Sequence, residues 1–411
     1  MNMCSFIPFK AASLCVAFAL VLRPAPSALA AENAESEGEV TTLELAPGLI
    51  VPLAKPSPLD WQKVSAERLI LLFLDQLRSD PSDELEYRRS VILELIDAEE
   101  FELAEQIASG IRQDDRAEVL GEIAFLYAGL EREERAAILL EEAESWLVHS
   151  TGMHKEMALR FIAACHARLG NRGEAEELMK QITDAFARQR VRGEVLSAFG
   201  EESEIETFLK ETGEPWVLPQ IDLLVDFAER KLRDGEVDAA DKLLIQAGEK
   251  AFGLKKLTGF ERVGRIVELL LEHKAMAKAS WHLEAYIRGI KSVAPEMPER
   301  GVLLARAARF SRALGKIELA ESLLDDAESN IKNVFVLYAA RPLAAIARER
   351  VALGDKNRAF QLIDIAARTS AAYDHIRGKA MGAVWVCLFC HLTELSMEDA
   401  VREQMRLAAG A

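Results

Sequence analysis

The stretch Ile346-Ala-Arg-Glu-Arg-Val-Ala-Leu-Gly354-Asp-Lys-Asn-Arg-Ala359-Phe-Gln-Leu-Ile-Asp-Ile-Ala366 sets the frame of the whole chain. Ile346 and Ala347 put a large and a small apolar residue side by side near the end of one helix. Gly354 then supplies the left-handed backbone that closes a helix with its own carbonyls, because glycine has no Cβ to clash there. Five residues later Ala359 opens a second helix, and Ala366 lies two turns further on. Alanines at those positions let two helix axes approach closely. The stretch predicts two antiparallel helices joined by a very short turn.

The same order recurs along the chain. Gly170 precedes Ala175, Gly235 precedes Ala240 and Gly315 precedes Ala320, each by five residues. Glu99 with Ala104, Glu131 with Ala136, Lys274 with Ala279 and Leu395 with Ala400 hold the frame without glycine, and a degenerate unit fits at Glu201. Successive turn positions are 32, 39, 31, 34, 39, 41, 39 and 41 residues apart. Eight residues before the turn stand Ile123, Ile162, Phe227, Ile266 and Ile346; seven before it stand Ala124, Ala163, Ala228, Ala308 and Ala347; twelve after it stand Ala143, Ala247, Ala327 and Ala366. A recurrence of roughly 30–45 residues is the signature of stacked helical hairpins.

On these residues the chain resembles the tetratricopeptide repeat (TPR) family over about residues 83–410, in nine degenerate units. It departs from that family's usual 34-residue period, since many gaps here are longer. The resemblance implies an all-α, right-handed α-solenoid of about nine TPR-like hairpins, with first helices lining a concave surface. The fourth unit, near Gly193–Gly213, is short, and Pro215 and Pro219 follow it. A division into helical segments 60–214 and 215–411 is therefore expected, with Asp60 as the first N-cap.

Upstream of the repeat, residues 1–30 read as an export signal. Lys10 precedes an apolar run from Ala11 to Leu22, and Ala28 and Ala30 supply the small side chains that favour cleavage after Ala30. Periplasmic or secreted localisation is the expectation. No later stretch is long and apolar enough to suggest a stable membrane span. Residues 31–59 are acidic and then proline-rich, which predicts an extended linker.

The 411 residues carry 50 Lys+Arg and 67 Asp+Glu, a formal charge of −17; without residues 1–30 the balance is 48 to 67, or −19. That excess of acid argues against nucleic acid as a partner. Cys165, Cys387 and Cys390 remain in the mature chain, too few for a disulfide framework.

The sharpest chemical motif is Cys387-Leu-Phe-Cys390-His391, whose spacing matches a c-type haem attachment site. In the repeat frame, however, Cys387 occupies a core position held elsewhere by isoleucine. Cys165-His166 echoes Cys390-His391 with no such motif around it. Core packing is the favoured reading, with a haem-bearing or thiol-redox protein as the alternative. No His-Glu-x-x-His, Gly-x-Ser-x-Gly or glycine-rich phosphate loop occurs. No catalytic residue, metal ligand or cofactor is assigned, and the chain is not expected to be an enzyme.

The remaining candidates lie thirteen, six and three residues before the turns, which helical spacing puts on the concave face. Units seven and eight hold Arg309, Arg312, Arg341 and Arg348 there; units five and six hold Asp222, Glu229, Glu261 and Glu268. Guanidinium groups bind carboxylates through paired hydrogen bonds, so these arginines are candidate partner-binding residues for an acidic peptide or a chain terminus. The expected function is an exported protein–protein interaction scaffold, or an adaptor subunit of an exported enzyme complex.

Overall fold

The computed structural model describes residues 42–46, 49–52 and 64–409, apart from 80, 255, 336, 337, 374, 375, 396 and 398. The expected signal at 1–30 lies outside the described residues. Within the segment expected to be an extended linker, strands β1 (Thr42–Ala46) and β2 (Leu49–Pro52) pair antiparallel, with an irregularity between Glu44 and Ala46. Prolines keep this segment out of a helix, as expected, but two short extended pieces separated by two residues can satisfy each other as a hairpin.

The described elements after it are all helices. Helix α1 (Ala66–Gln76) begins five residues later than expected, capped by Ser65, whose hydroxyl accepts from the Arg68 amide at 3.3 Å. Among the described residues nine hairpins follow: α2 (Pro81–Asp97) with α3 (Phe101–Ser109), α4 (Gln113–Gly129) with α5 (Glu133–Trp146), and α6 (Gly152–Arg168) with α7 (Arg172–Gln181). Next come α8 (Ala185–Phe199) with α9 (Glu202–Glu211), α10 (Val217–Arg233) with α11 (Val237–Gly253), and α12 (Leu257–Glu272) with α13 (Met276–Ile290). The last three are α14 (Pro298–Ala313) with α15 (Ile317–Ile331), α16 (Ala340–Ala352) with α17 (Lys356–Ala371), and α18 (Ile376–Leu392) with α19 (Asp399–Ala408). The chain is an α-solenoid.

The turns explain the repeat. Glu99, Glu131, Gly170, Gly235, Lys274, Gly315 and Gly354 all have positive φ, between 56° and 91°. At each of them two hydrogen bonds close the helix behind. Gly170 donates to the Ala167 carbonyl at 3.2 Å and Asn171 to His166 at 2.8 Å; Gly354 donates to Val351 and Asp355 to Arg350, both at 2.9 Å. This paired pattern satisfies carbonyls that the helix end would otherwise leave bare. The second helix starts two residues after the turn residue, so the alanine five positions on falls at its first inward-facing place. Ala104, Ala136, Ala175, Ala240, Ala279, Ala320 and Ala359 are all fully buried.

Two units break the frame. At Glu201 φ is −81°, and the connection is instead extended and held by a capping box between Glu201 and Glu204. In the ninth unit the left-handed residue is Glu394, not Leu395, and α19 starts five residues after it. Val401, Met405 and Ala408 then take the buried places along α19. The shift moves Cys390-His391 out of register with Cys165-His166, so the echo read between them is not a structural equivalence. The boundary expected at 214–215 falls on the 3-10 turn Glu214–Trp216, across which α8 and α10 remain packed together.

The solenoid also closes on itself. Inner helices α4, α6, α8, α10, α12, α14, α16 and α18 pack in sequence, and α18 meets α2 and lies along α1. Between α2 and α4 the circle is bridged by Arg89, which donates to Glu118 at 2.9 Å and to Glu122 at 2.7 Å. At the closure the Gln76 side chain donates to the Ala409 carbonyl at 3.2 Å and Arg402 to the Val64 carbonyl at 3.0 Å. The open concave shelf expected from the sequence is thus a lumen.

Candidate functional site: the arginine-lined lumen

The lumen contains a cavity of about 410 Å³ between α2, α12, α14, α16 and α18. Most of its wall comes from residues thirteen, ten, nine, six and five places before the turns, with Arg262 and Leu303 twelve places before and Asp97 and Leu392 two places before. Six arginines line it: Arg262, Arg265, Arg306, Arg309, Arg341 and Arg348. Trp385, Leu388, Phe389 and Leu392 of α18 form an apolar wall.

The candidate arginines are placed unequally. Arg309 donates to Asp97 and to Glu268, both at 2.7 Å. Asp97 belongs to the first hairpin and Arg309 to the seventh, so this bond spans the lumen. Burial works to raise the Asp97 carboxyl, but Arg309 and Arg306 outweigh it and hold it below its ordinary value. Arg312 does not line the cavity; it donates to Glu349 at 3.3 Å. Arg341 approaches Glu94 only to 3.7 Å and lies 5.1 Å from the centre of the Trp385 ring. Arg348 approaches Glu94 and Asp97 at 3.8 Å each. Neither Arg341 nor Arg348 makes a hydrogen bond among the described residues, so both keep donors for another acceptor.

The acidic residues expected in the middle of the groove do not form a separate acidic stretch. Asp222 binds Arg190 at 2.7 Å and Arg262 at 2.9 Å, while Glu268 also takes Arg306 at 2.9 Å. Acid and base from neighbouring hairpins interleave around the wall. Residue-by-residue reading missed Glu94, Asp97, Arg306 and Trp385, although their spacing from the turns would have put them on the inner face.

The same spacing turns Arg160, ten residues before Gly170, toward the lumen, where Ala305 and Ala344 stand in later units. Arg160 is buried against Phe161, 4.2 Å from the ring centre, and its recorded side-chain contact is Met157 Sδ at 3.9 Å. Burial, with Arg190 beside it, lowers Arg160 to about 9.

Cys387 and Cys390 sit within the continuous helix α18 and are buried. Burial pushes the Cys390 thiol up to about 12 and raises the Cys387 thiol as well. His391 lies 3.6 Å from Glu67 and 3.5 Å from Glu100, at the closure between α18 and the first helices. Thioether attachment needs both sulfurs at a surface where a porphyrin edge can lie. Here they face packed side chains, so the residues present do not fit haem. No group of three or more His, Cys, Asp or Glu suited to a metal ion occurs among the described residues. Nor is any described helix long and apolar enough to cross a membrane.

No family model matches the chain, and no curated protein matches it. Among solved structures it is similar to one described as a circular tandem repeat protein with novel repeat topology and enhanced subunit contact surfaces. The identity is 15% and the TM-score 0.27, over 84% of this chain and 95% of that one.

Proposed function

We propose that this is an exported, non-enzymatic scaffold of the TPR kind, whose lumen receives an acidic, partly apolar segment of a partner protein. The observation that carries the reading is the pair Arg341 and Arg348. They sit beside the apolar wall of Trp385, Leu388 and Phe389, with their nearest carboxylates at 3.7–3.8 Å. Such a surface offers charge-assisted hydrogen bonds next to apolar burial, the combination that a short peptide segment can use. A helical repeat contributes a continuous face of this kind without a catalytic constellation.

The test uses the mature chain and a labelled peptide of alternating Glu and Leu ending in a free carboxylate, with a Lys-for-Glu peptide as control. The acidic peptide binds, and the double variant Arg341→Gln/Arg348→Gln weakens it about tenfold or more, with helix content unchanged by circular dichroism. Equal binding of the two peptides, or binding indifferent to the double variant, contradicts the reading.

A further inference from the structure

Each of the six arginines lining the cavity has a carboxylate within 4 Å: Arg262 has Asp222, Arg265 has Glu229, Glu268 and Glu272, Arg306 and Arg309 have Glu268, and Arg341 and Arg348 have Glu94. Arg160, on the other side of the ring, has none among the described residues, although it is only 8% exposed. The nearby acids are already engaged. Glu122 lies 2.5 Å from Arg89, and Asp222 is shared between Arg190 and Arg262. Arg89 takes both Glu118 and Glu122, and Arg190 takes Asp222, so Arg160 is the arginine of this wall left without a direct ion pair. A buried charge left unpaired is strongly disfavoured unless something neutralises it.

We propose that Arg160 is the centre of an oxyanion site in the lumen wall, flanked by Arg89 and Arg190, and distinct from the Arg341–Arg348 wall. Its guanidinium lies over Phe161 with donors engaged only by a thioether, so a tetrahedral or planar oxyanion can accept two parallel hydrogen bonds from it. Arg89 and Arg190 keep their own carboxylates and add electrostatic attraction. The chemistry is shared by free phosphate or sulfate and by a carboxylate, and the experiment separates these sources. The site does not depend on the peptide-binding reading.

The measurement is thermal unfolding of the whole mature chain in inorganic phosphate, sulfate or acetate, each against chloride at equal ionic strength. At least one oxyanion well above its Kd raises the Tm by about 2–4 °C. A rise with phosphate or sulfate assigns a free tetrahedral anion; a rise with acetate alone assigns a carboxylate. The rise vanishes in Arg160→Gln and is reduced in Arg160→Lys, which keeps the charge but loses the fork. In chloride alone, Arg160→Gln unfolds at or above the temperature of the parent, because it removes a buried cation that has no direct ion pair. No shift with any of the three anions, or a shift retained in full by Arg160→Gln, overturns the proposal. So does Arg160→Gln that fails to fold in chloride while Arg160→Lys folds without any anion response.

Discussion

At the scale of single residues, the chain is organised by a backbone angle. Gly354 and Lys274 occupy equivalent turns at φ of 91° and 56°. A Cβ added at Gly354 meets nothing within 4 Å, so substitution there costs backbone strain alone. Gly354→Ala is expected to lose about 1 kcal/mol, and Lys274→Gly to gain up to about 1 kcal/mol, read as shifts in urea midpoint at constant slope. Equal and small effects at both sites would show that the angle is not what the frame selects. The cysteines give a second residue-scale expectation. With Cys165, Cys387 and Cys390 buried and burial raising all three thiols, a thiol reagent should modify the native protein only as fast as it opens, and all three promptly in denaturant. Rapid modification of native Cys387 would contradict the packed helix.

At the scale of elements, helix crossings depend on alanine. Ala136, Ala240, Ala320 and Ala359 have no exposed surface, each where an outer helix crosses its partner. Ala359→Leu adds three carbons where there is no room and should cost about 1–3 kcal/mol, by chemical denaturation; a neutral outcome would mean that α16 and α17 are not in close contact. Neighbouring hairpins are joined by charge as well. His154 of α6 donates toward Glu118 of α4 at 2.9 Å, with Asp115 at 3.2 Å. The bond to Glu118 raises the His154 pKa above its ordinary value, against burial. A raised folded value makes the imidazolium's contribution complete below the unfolded value of about 6.5, and lost as pH climbs through the folded value. The stability advantage of the parent over His154→Gln should shrink as pH rises above about 6.5. An advantage that grows with pH would reverse the assignment.

These elements also show what was legible beforehand. Hairpin number, the turn residues at seven of nine anchors and the crossing alanines could be read because each is a local rule repeated within about 40 residues. The ninth anchor slipped by one because α19 starts five residues after Glu394 where other second helices start two after the turn, so Ala400 does not mark it, and the fourth failed because its connection uses an extended cap. Periodicity found three of the arginines that line the cavity, Arg309, Arg341 and Arg348, but not Arg262, Arg265 or Arg306, and it also chose Arg312, which does not line it. Their partners were not found, since Asp97 and Arg309 are 212 residues apart and nothing in either hairpin encodes the other.

At the scale of the whole molecule, small equal rotations between hairpins decide whether a solenoid spirals open or meets its own beginning. No residue spacing states that angle. Here the ends meet: α1 and α2 pack on α18, and Glu94 and Asp97 of the first hairpin reach arginines of the seventh and eighth. A lumen follows, and with it the enclosed charges on which both binding proposals rest. An open superhelix would expose the same arginines to water, where ion pairs contribute little.

Closure is therefore the central claim, and a distance across the seam tests it most directly. Spin labels placed at Arg68 on α1 and at Glu394 just beyond α18, both exposed, should report one narrow separation of about two helix diameters, ~20 Å. An open solenoid of nine hairpins with helices about 8–10 Å apart would instead put these labels several times farther apart, in a broad distribution, and would contradict the account.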